Sequence, residues 1–153
     1  MSSDRYIERL RQAHHIEVQG EAVYAAARAS SSPERQRQWD ALRQLETVTK
    51  RKIAAVLAAA GDPARESTWA RWSGHLVGLV AGALPWGVTM RVLRRITMHV
   101  GRLWETMERE AGGRNAELHA FLVVHERAQF DFATQELHHD SARSLDSVLA
   151  LLS

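Results

Sequence analysis

Apolar side chains recur along this chain at three- and four-residue intervals, from Tyr6, Leu10 and Ala13 near the start to Leu118, Phe121, Leu122 and Phe132 towards the end. That spacing puts them on one face of an α-helix, and no stretch shows the alternation of a half-buried strand between turn residues. Ser30-Ser31-Ser32-Pro33 closes one helix and opens the next, with serine as N-cap and proline at the first helical position. Gly61-Asp62-Pro63 ends the second helix, Pro85 breaks the third, and Gly112-Gly113 marks a further turn. The pattern predicts helices near 4–29, 34–60, 66–84, 86–111 and 115–138, with a short one near 143–152. Tight loops make the first two helices antiparallel neighbours, and likewise 86–111 with 115–138. Residues 61–85 then form a long crossover carrying a short extra helix. The expected architecture is all-α, a four-helix bundle folded as a single domain over residues 1–153.

Several polar residues break the pattern. At about 100° per residue, Tyr6, Leu10, Ala13, Gly20 and Tyr24 share one side of the first helix, and Glu8, Arg11, His15 and Gln19 the other. Glu17 and Glu21 fall inside the apolar arc, with His14 at its edge. In the second helix Glu46 and Thr49 lie within the face made by Trp39, Leu42, Leu45, Ile53, Val56 and Leu57. In the fifth, His125, Glu126, Gln129 and Glu136 lie on the apolar side, while Arg127, Asp131 and Gln135 point out. An ionised carboxylate buried alone costs many kcal/mol, so such groups are paired, neutralised or bound to metal. Glu21 and Glu46 lie about 17 and 21 Å from the first turn, and His125 and Glu126 stand at a similar height above Gly112-Gly113. Glu17, Glu21, Glu46, His125, Glu126 and Gln129 are therefore expected to converge near mid-bundle. Glu136, about 15 Å further along, belongs elsewhere.

Composition narrows the chemistry. The chain has no cysteine, so disulfides, thiolate zinc sites and iron–sulfur clusters are excluded, and a metal would have to be held by carboxylate and imidazole. The formal charge is only +2, with arginines and acids interspersed and no basic stripe interleaved with aromatics, which argues against nucleic acid. The first 15 residues are charged throughout and do not form a secretory h-region, so a cytoplasmic location is the expectation.

The segments His14-His15-Ile16-Glu17-Val18-Gln19-Gly20-Glu21, Leu45-Glu46-Thr47-Val48-Thr49 and His125-Glu126-Arg127-Ala128-Gln129 resemble the ferritin-like superfamily, especially its small rubrerythrin-like members. The resemblance implies a ferritin-like four-helix bundle, with iron or manganese as cofactor and redox or oxygen chemistry as activity. Two-metal members use a glutamate from each of two helices and Glu-x-x-His from each of the others. Carried over, Glu21 or Glu17 is the first-helix ligand, and Glu46 and Glu126 are the glutamates of the two Glu-x-x-His motifs. The histidine places hold Thr49 and Gln129, which become donors to the ligands, and the adjacent His125 supplies the imidazole. The helix 86–111 departs further, because its acids Glu105 and Glu108 fall at the arc's edge. The implied metal set is Glu17, Glu21, Glu46, His125 and Glu126. The rival expectation is a metal-free helical interaction module whose buried polar cluster fixes the packing.

Trp72 to Met90 is a run of 19 residues without Asp, Glu, Lys or Arg. Gly74, Gly78 and Gly82 repeat in it every four residues, a smooth stripe for close helix packing. Arg91, Arg94 and Arg95 follow directly, so the segment suits homodimerisation or a peripheral contact with anionic lipid. Trp69 and Trp72 read as core or interface aromatics, and Glu136-Leu137-His138-His139 as a charge cluster at a helix end.

Overall fold

The computed structural model describes residues 2–153, and these form six helices: α1 (Ser3–Ala29), α2 (Pro33–Ala59), α3 (Thr68–Ala83), α4 (Trp86–Ala111), α5 (Ala116–Leu137) and α6 (Asp146–Ala150). Local chemistry sets the ends. The Ser2 hydroxyl accepts from the Arg5 amide, Ser67 does the same for Ala70, and Pro33 opens α2. Gly112, at φ 59°, takes the left-handed conformation that closes α4.

The core lies in two apolar layers. One gathers Tyr6, Leu10, Ile53, Leu57, Trp104, Met107, Leu118 and Leu122, the other Tyr24, Trp39, Leu42, Leu45, Met90, Leu93 and Phe132. Each layer takes residues from α1, α2, α4 and α5, and the second also takes Leu145 and Val148 from the α6 region. Burying each of the larger side chains stabilises the fold by about 1.5–3 kcal/mol. The order of layers along each helix gives the directions. α1 and α5 run from the first layer to the second, α2 and α4 the opposite way. The link from α2 to α4 therefore has to run the full length of the bundle, and α3 does this.

α3 lies along α1, where its glycine stripe meets the backbone. A Cβ on Gly74, Gly78 or Gly82 would overlap the carbonyl of Gln19, Val23 or Ala27 respectively. The helices approach closely because those three positions carry no side chain. Trp69 and Trp72 stack near each other on the far side and are exposed, so neither is a core residue. No helix among the described residues is long and apolar enough to cross a membrane.

The end of α5 corrects the reading of Glu136 as part of a solvated charge cluster. His138 and His139 are exposed, but Glu136 is buried and accepts from Trp86 Nε1 (2.8 Å), Ser141 Oγ (3.0 Å) and Ser144 Oγ (2.6 Å). The carboxylate ties the segment after α5 back onto α4.

Candidate metal centre

Between the two apolar layers the bundle has a polar waist. Glu17 comes from α1, Glu46 and Thr49 from α2, and His125, Glu126 and Gln129 from α5, all buried. One oxygen of Glu17, one of Glu46 and one ring nitrogen of His125 lie within 4.8 Å of one another. His125 Nε2 stands 3.8 Å from Glu17, 3.6 Å from Glu46 and 3.8 Å from Glu126. α4 contributes no acid. Glu105 and Glu108 are exposed, and Trp104 Nε1 instead donates to Glu126 Oε1 at 3.2 Å.

Hydrogen bonds orient these groups. Thr49 Oγ1 bonds the Leu45 carbonyl and meets His125 Nδ1 at 2.7 Å. Gln129 Nε2 donates to Glu46 Oε1 at 2.7 Å and lies 2.7 Å from His125 Nε2, while its carbonyl accepts from the Tyr24 hydroxyl. An amide N–H cannot accept, so this set assigns the proton of a neutral His125 to Nδ1, facing Thr49. Its Nε2 lone pair then faces Gln129 and the three carboxylates. That is the tautomer a metal-binding imidazole adopts when its second nitrogen is tied to a neighbouring group.

Glu17 is the exception. Fully buried, neither of its carboxylate oxygens has a hydrogen-bond partner among the described residues. Burial, then the charge of Glu46, pushes its pKa well above the usual carboxylate range. Held neutral, it can share its proton with Glu46. Burial also acts to raise Glu46, but His125, Glu17 and Gln129 together outweigh it and hold Glu46 ionised below its ordinary value. Burial pushes Glu126 up to about 7, against the pull of His125. For His125, burial acts to lower the pKa, but the charges of Glu46 and Glu126 win and favour the protonated ring. That preference and the lone-pair geometry have one cause. The carboxylates call for positive charge at Nε2, which a proton or a cation can supply.

The waist brings together Glu17, Glu46, His125 and Glu126, with Gln129 and Thr49 as their hydrogen-bonding supports. It does not include Glu21. That residue is half-buried at the α1–α2 edge, where it accepts from Lys50 and Thr47, and these outweigh burial to lower its pKa. Glu21 and Glu17 are one turn apart on the same arc, and the position of Lys50 on α2 separates their fates. His14 is also buried but outside the cluster. Gly20, placed by its spacing on the apolar side of the first helix, has a role that the spacing alone does not show. A Cβ there would lie 2.9 Å from Glu46 Cδ, so the glycine makes room for that carboxylate.

A cavity of about 280 Å³ lies over the cluster. Its floor includes Glu17, Glu46, Glu126 and Gln129, and Val23, Val77, Leu93, Ile96 and Val100 give it apolar walls. The fold and this site define an all-α bundle with a buried carboxylate–imidazole cluster at its waist. Comparisons with protein-family models, with curated proteins and with solved structures give no match to this chain.

Proposed function

We propose that the protein is a ferritin-like bundle that binds one iron or manganese ion at Glu17, Glu46, His125 and Glu126 for redox or oxygen chemistry. The observation that carries this reading is Glu17, a fully buried carboxyl that no donor among the described residues reaches, gathered with Glu46 and a ring nitrogen of His125. The donor set fits the group. Carboxylate and imidazole suit iron and manganese, and the absence of thiolate disfavours softer metals. Thr49 and Gln129 stand where the two imidazoles of a two-metal site would be needed, and His125 is the one imidazole at the waist among the described residues, which supports one ion and not two.

In this reading Glu17 and Glu46 neutralise the ion, His125 is its nitrogen ligand, and Glu126 is held in place by Trp104. Thr49 fixes the ring of His125, and Gln129 orients Glu46. The bound ion would supply a redox couple. The apolar cavity would exclude bulk water and admit dioxygen or a small apolar molecule to the cluster. Tyr24, whose pKa burial and then the carboxylates raise well above its ordinary value, stays a neutral hydrogen-bond donor beside it.

The test is metal loading. Untagged protein reconstituted anaerobically with Fe(II) or Mn(II) should retain about one ion per chain, and Glu17→Gln and Glu46→Gln should each weaken binding at least tenfold. The metal-free alternative rests on the raised pKa of Glu17, since a neutral carboxyl needs no cation. Wild-type protein that takes up neither ion, with a melting temperature indifferent to both, would establish that alternative.

A further inference from the structure

From residue 67 to residue 104 the chain has no Asp or Glu and five arginines, in a protein whose formal charge is only +2. The same stretch, α3 and most of α4, holds most of the exposed large hydrophobic side chains. Those of α3 lie opposite its glycine stripe, with Trp69 65% exposed, Trp72 55% and Val80 59%. On α4, Val88, Val92 and Ile96 form an exposed line at four-residue spacing. Arg91 and Arg95 flank that line about one residue's turn round the helix. Among the described residues, no ion pair engages Arg91, Arg94 or Arg95.

Charge decides what such a face can meet. In a symmetric dimer built on this surface the same patch would face itself. Arginines of one copy would then approach arginines of the other, with no acid in the stretch to pair them. An anionic lipid surface offers phosphate to the arginines and acyl chains to the valines and leucines. Exposed tryptophans suit the headgroup level, where ring and N–H find different surroundings. A pair of helices lying in the interface needs neither the length nor the uniform hydrophobicity of a membrane span.

We propose that the exposed face of α3 and α4 docks the protein flat on an anionic lipid surface. Val77 and Ile96, each 52% exposed on this face, also line the cavity above Glu17, so docking turns the cavity mouth towards the acyl chains.

The experiment is co-sedimentation of the full chain, with chelator present, on phosphatidylcholine vesicles with and without phosphatidylglycerol. Chelator keeps the outcome separate from metal binding. The protein should pellet with the phosphatidylglycerol vesicles, remain in solution with phosphatidylcholine alone, and be released by raised salt. Arg91→Gln with Arg95→Gln should weaken partitioning roughly thirtyfold, each basic residue near such a surface being worth about fivefold. Val80→Glu, at an exposed position where circular dichroism should show an unchanged fold, should abolish pelleting. Brominated lipid should quench tryptophan fluorescence, less so in Trp69→Phe/Trp72→Phe. Failure to pellet with anionic vesicles overturns the proposal, and so does binding indifferent to Val80→Glu. A dimer that Val80→Glu splits, in protein that ignores vesicles, would assign the face to a second copy.

Discussion

Glu17 and Glu136 are both buried glutamates on bundle helices, yet their surroundings are opposite. Glu136 has three neutral donors, from Trp86, Ser141 and Ser144, reaching it from two other parts of the chain. Glu17 has no donor among the described residues, and its neighbours are two more carboxylates and an imidazole. The first arrangement satisfies both oxygens of the side chain and fastens a chain segment. The second leaves coordination capacity unused and keeps a proton where a cation could sit. Burial alone therefore does not mark a functional acid. What distinguishes it is whether the fold has supplied donors.

The largest effect expected from this contrast is on stability. Glu136→Ala strands the Trp86 N–H and the buried Ser144 hydroxyl, Ser141 being exposed to water, and should cost about 4 kcal/mol. Glu17→Gln removes a group the metal-free fold only tolerates, and its amide can still donate to Glu46. Its cost in chelator should be near zero, or it should stabilise the fold by about 1 kcal/mol. Urea denaturation of both variants measures the difference. Equal losses would mean that Glu17 is as much a structural tie as Glu136.

A second effect, about 3 kcal/mol, should appear with pH. Burial raises Glu126 from 4.5 to about 7, so between those values the folded chain holds a proton that the unfolded chain has released. Its contribution to stability therefore falls as pH rises, by about 3 kcal/mol for a shift of this size. Glu17 is raised by burial and then by Glu46, and acts in the same direction. His125, raised because Glu46 and Glu126 outweigh burial, stabilises fully below about 6.5 and loses that contribution as pH passes its higher folded value. Glu46 has the opposite sign, but its depressed pKa confines it to acid below about 4.5. In chelator, the unfolding free energy should fall from about pH 5 to about pH 8. With iron or manganese present the slope should reverse, because protons and cation compete for the same atoms. A flat profile without metal would mean that the waist is solvated and Glu17 ionised.

The fold was legible in the sequence wherever turn chemistry punctuates it. Pro33, Gly61, Pro85 and Gly112 stand at the observed helix ends, and the predicted and observed boundaries of the five long helices differ by two residues or fewer. Glu17, Glu46, His125 and Glu126 were legible because each sits in an apolar arc where ionisable groups need a reason. Glu21 shared that arc, and only the pairing of α1 with α2 reveals Lys50 beside it. The role of Gly20 could have been noticed, since a glycine inside a helix costs up to about 1 kcal/mol and asks for an explanation. The role of Glu136 was hidden because its donors lie on α4 and in the segment between α5 and α6, where no helical period predicts which residues return to it.

The smallest effect tests whether the waist is oriented or merely polar. Thr49 Oγ1 meets His125 Nδ1, and Val has nearly the shape of Thr without the hydroxyl. In chelator, Thr49→Val should cost about 1 kcal/mol, since it leaves one buried ring N–H unpaired. The lost bond also frees the imidazole to present either nitrogen to the carboxylates, so a site that depends on the Nε2 lone pair should lose about tenfold or more in metal affinity. Thr47→Val, at the rim beside Glu21, removes a comparable hydroxyl from a pair outside the cluster and should leave metal affinity unchanged. Metal titration of the two variants separates orientation of His125 from general polarity. If both bind as wild type does, the Thr49 bond only fills space at the waist. If only Thr49→Val weakens binding, the hydrogen bonds around His125 hold it as a ligand.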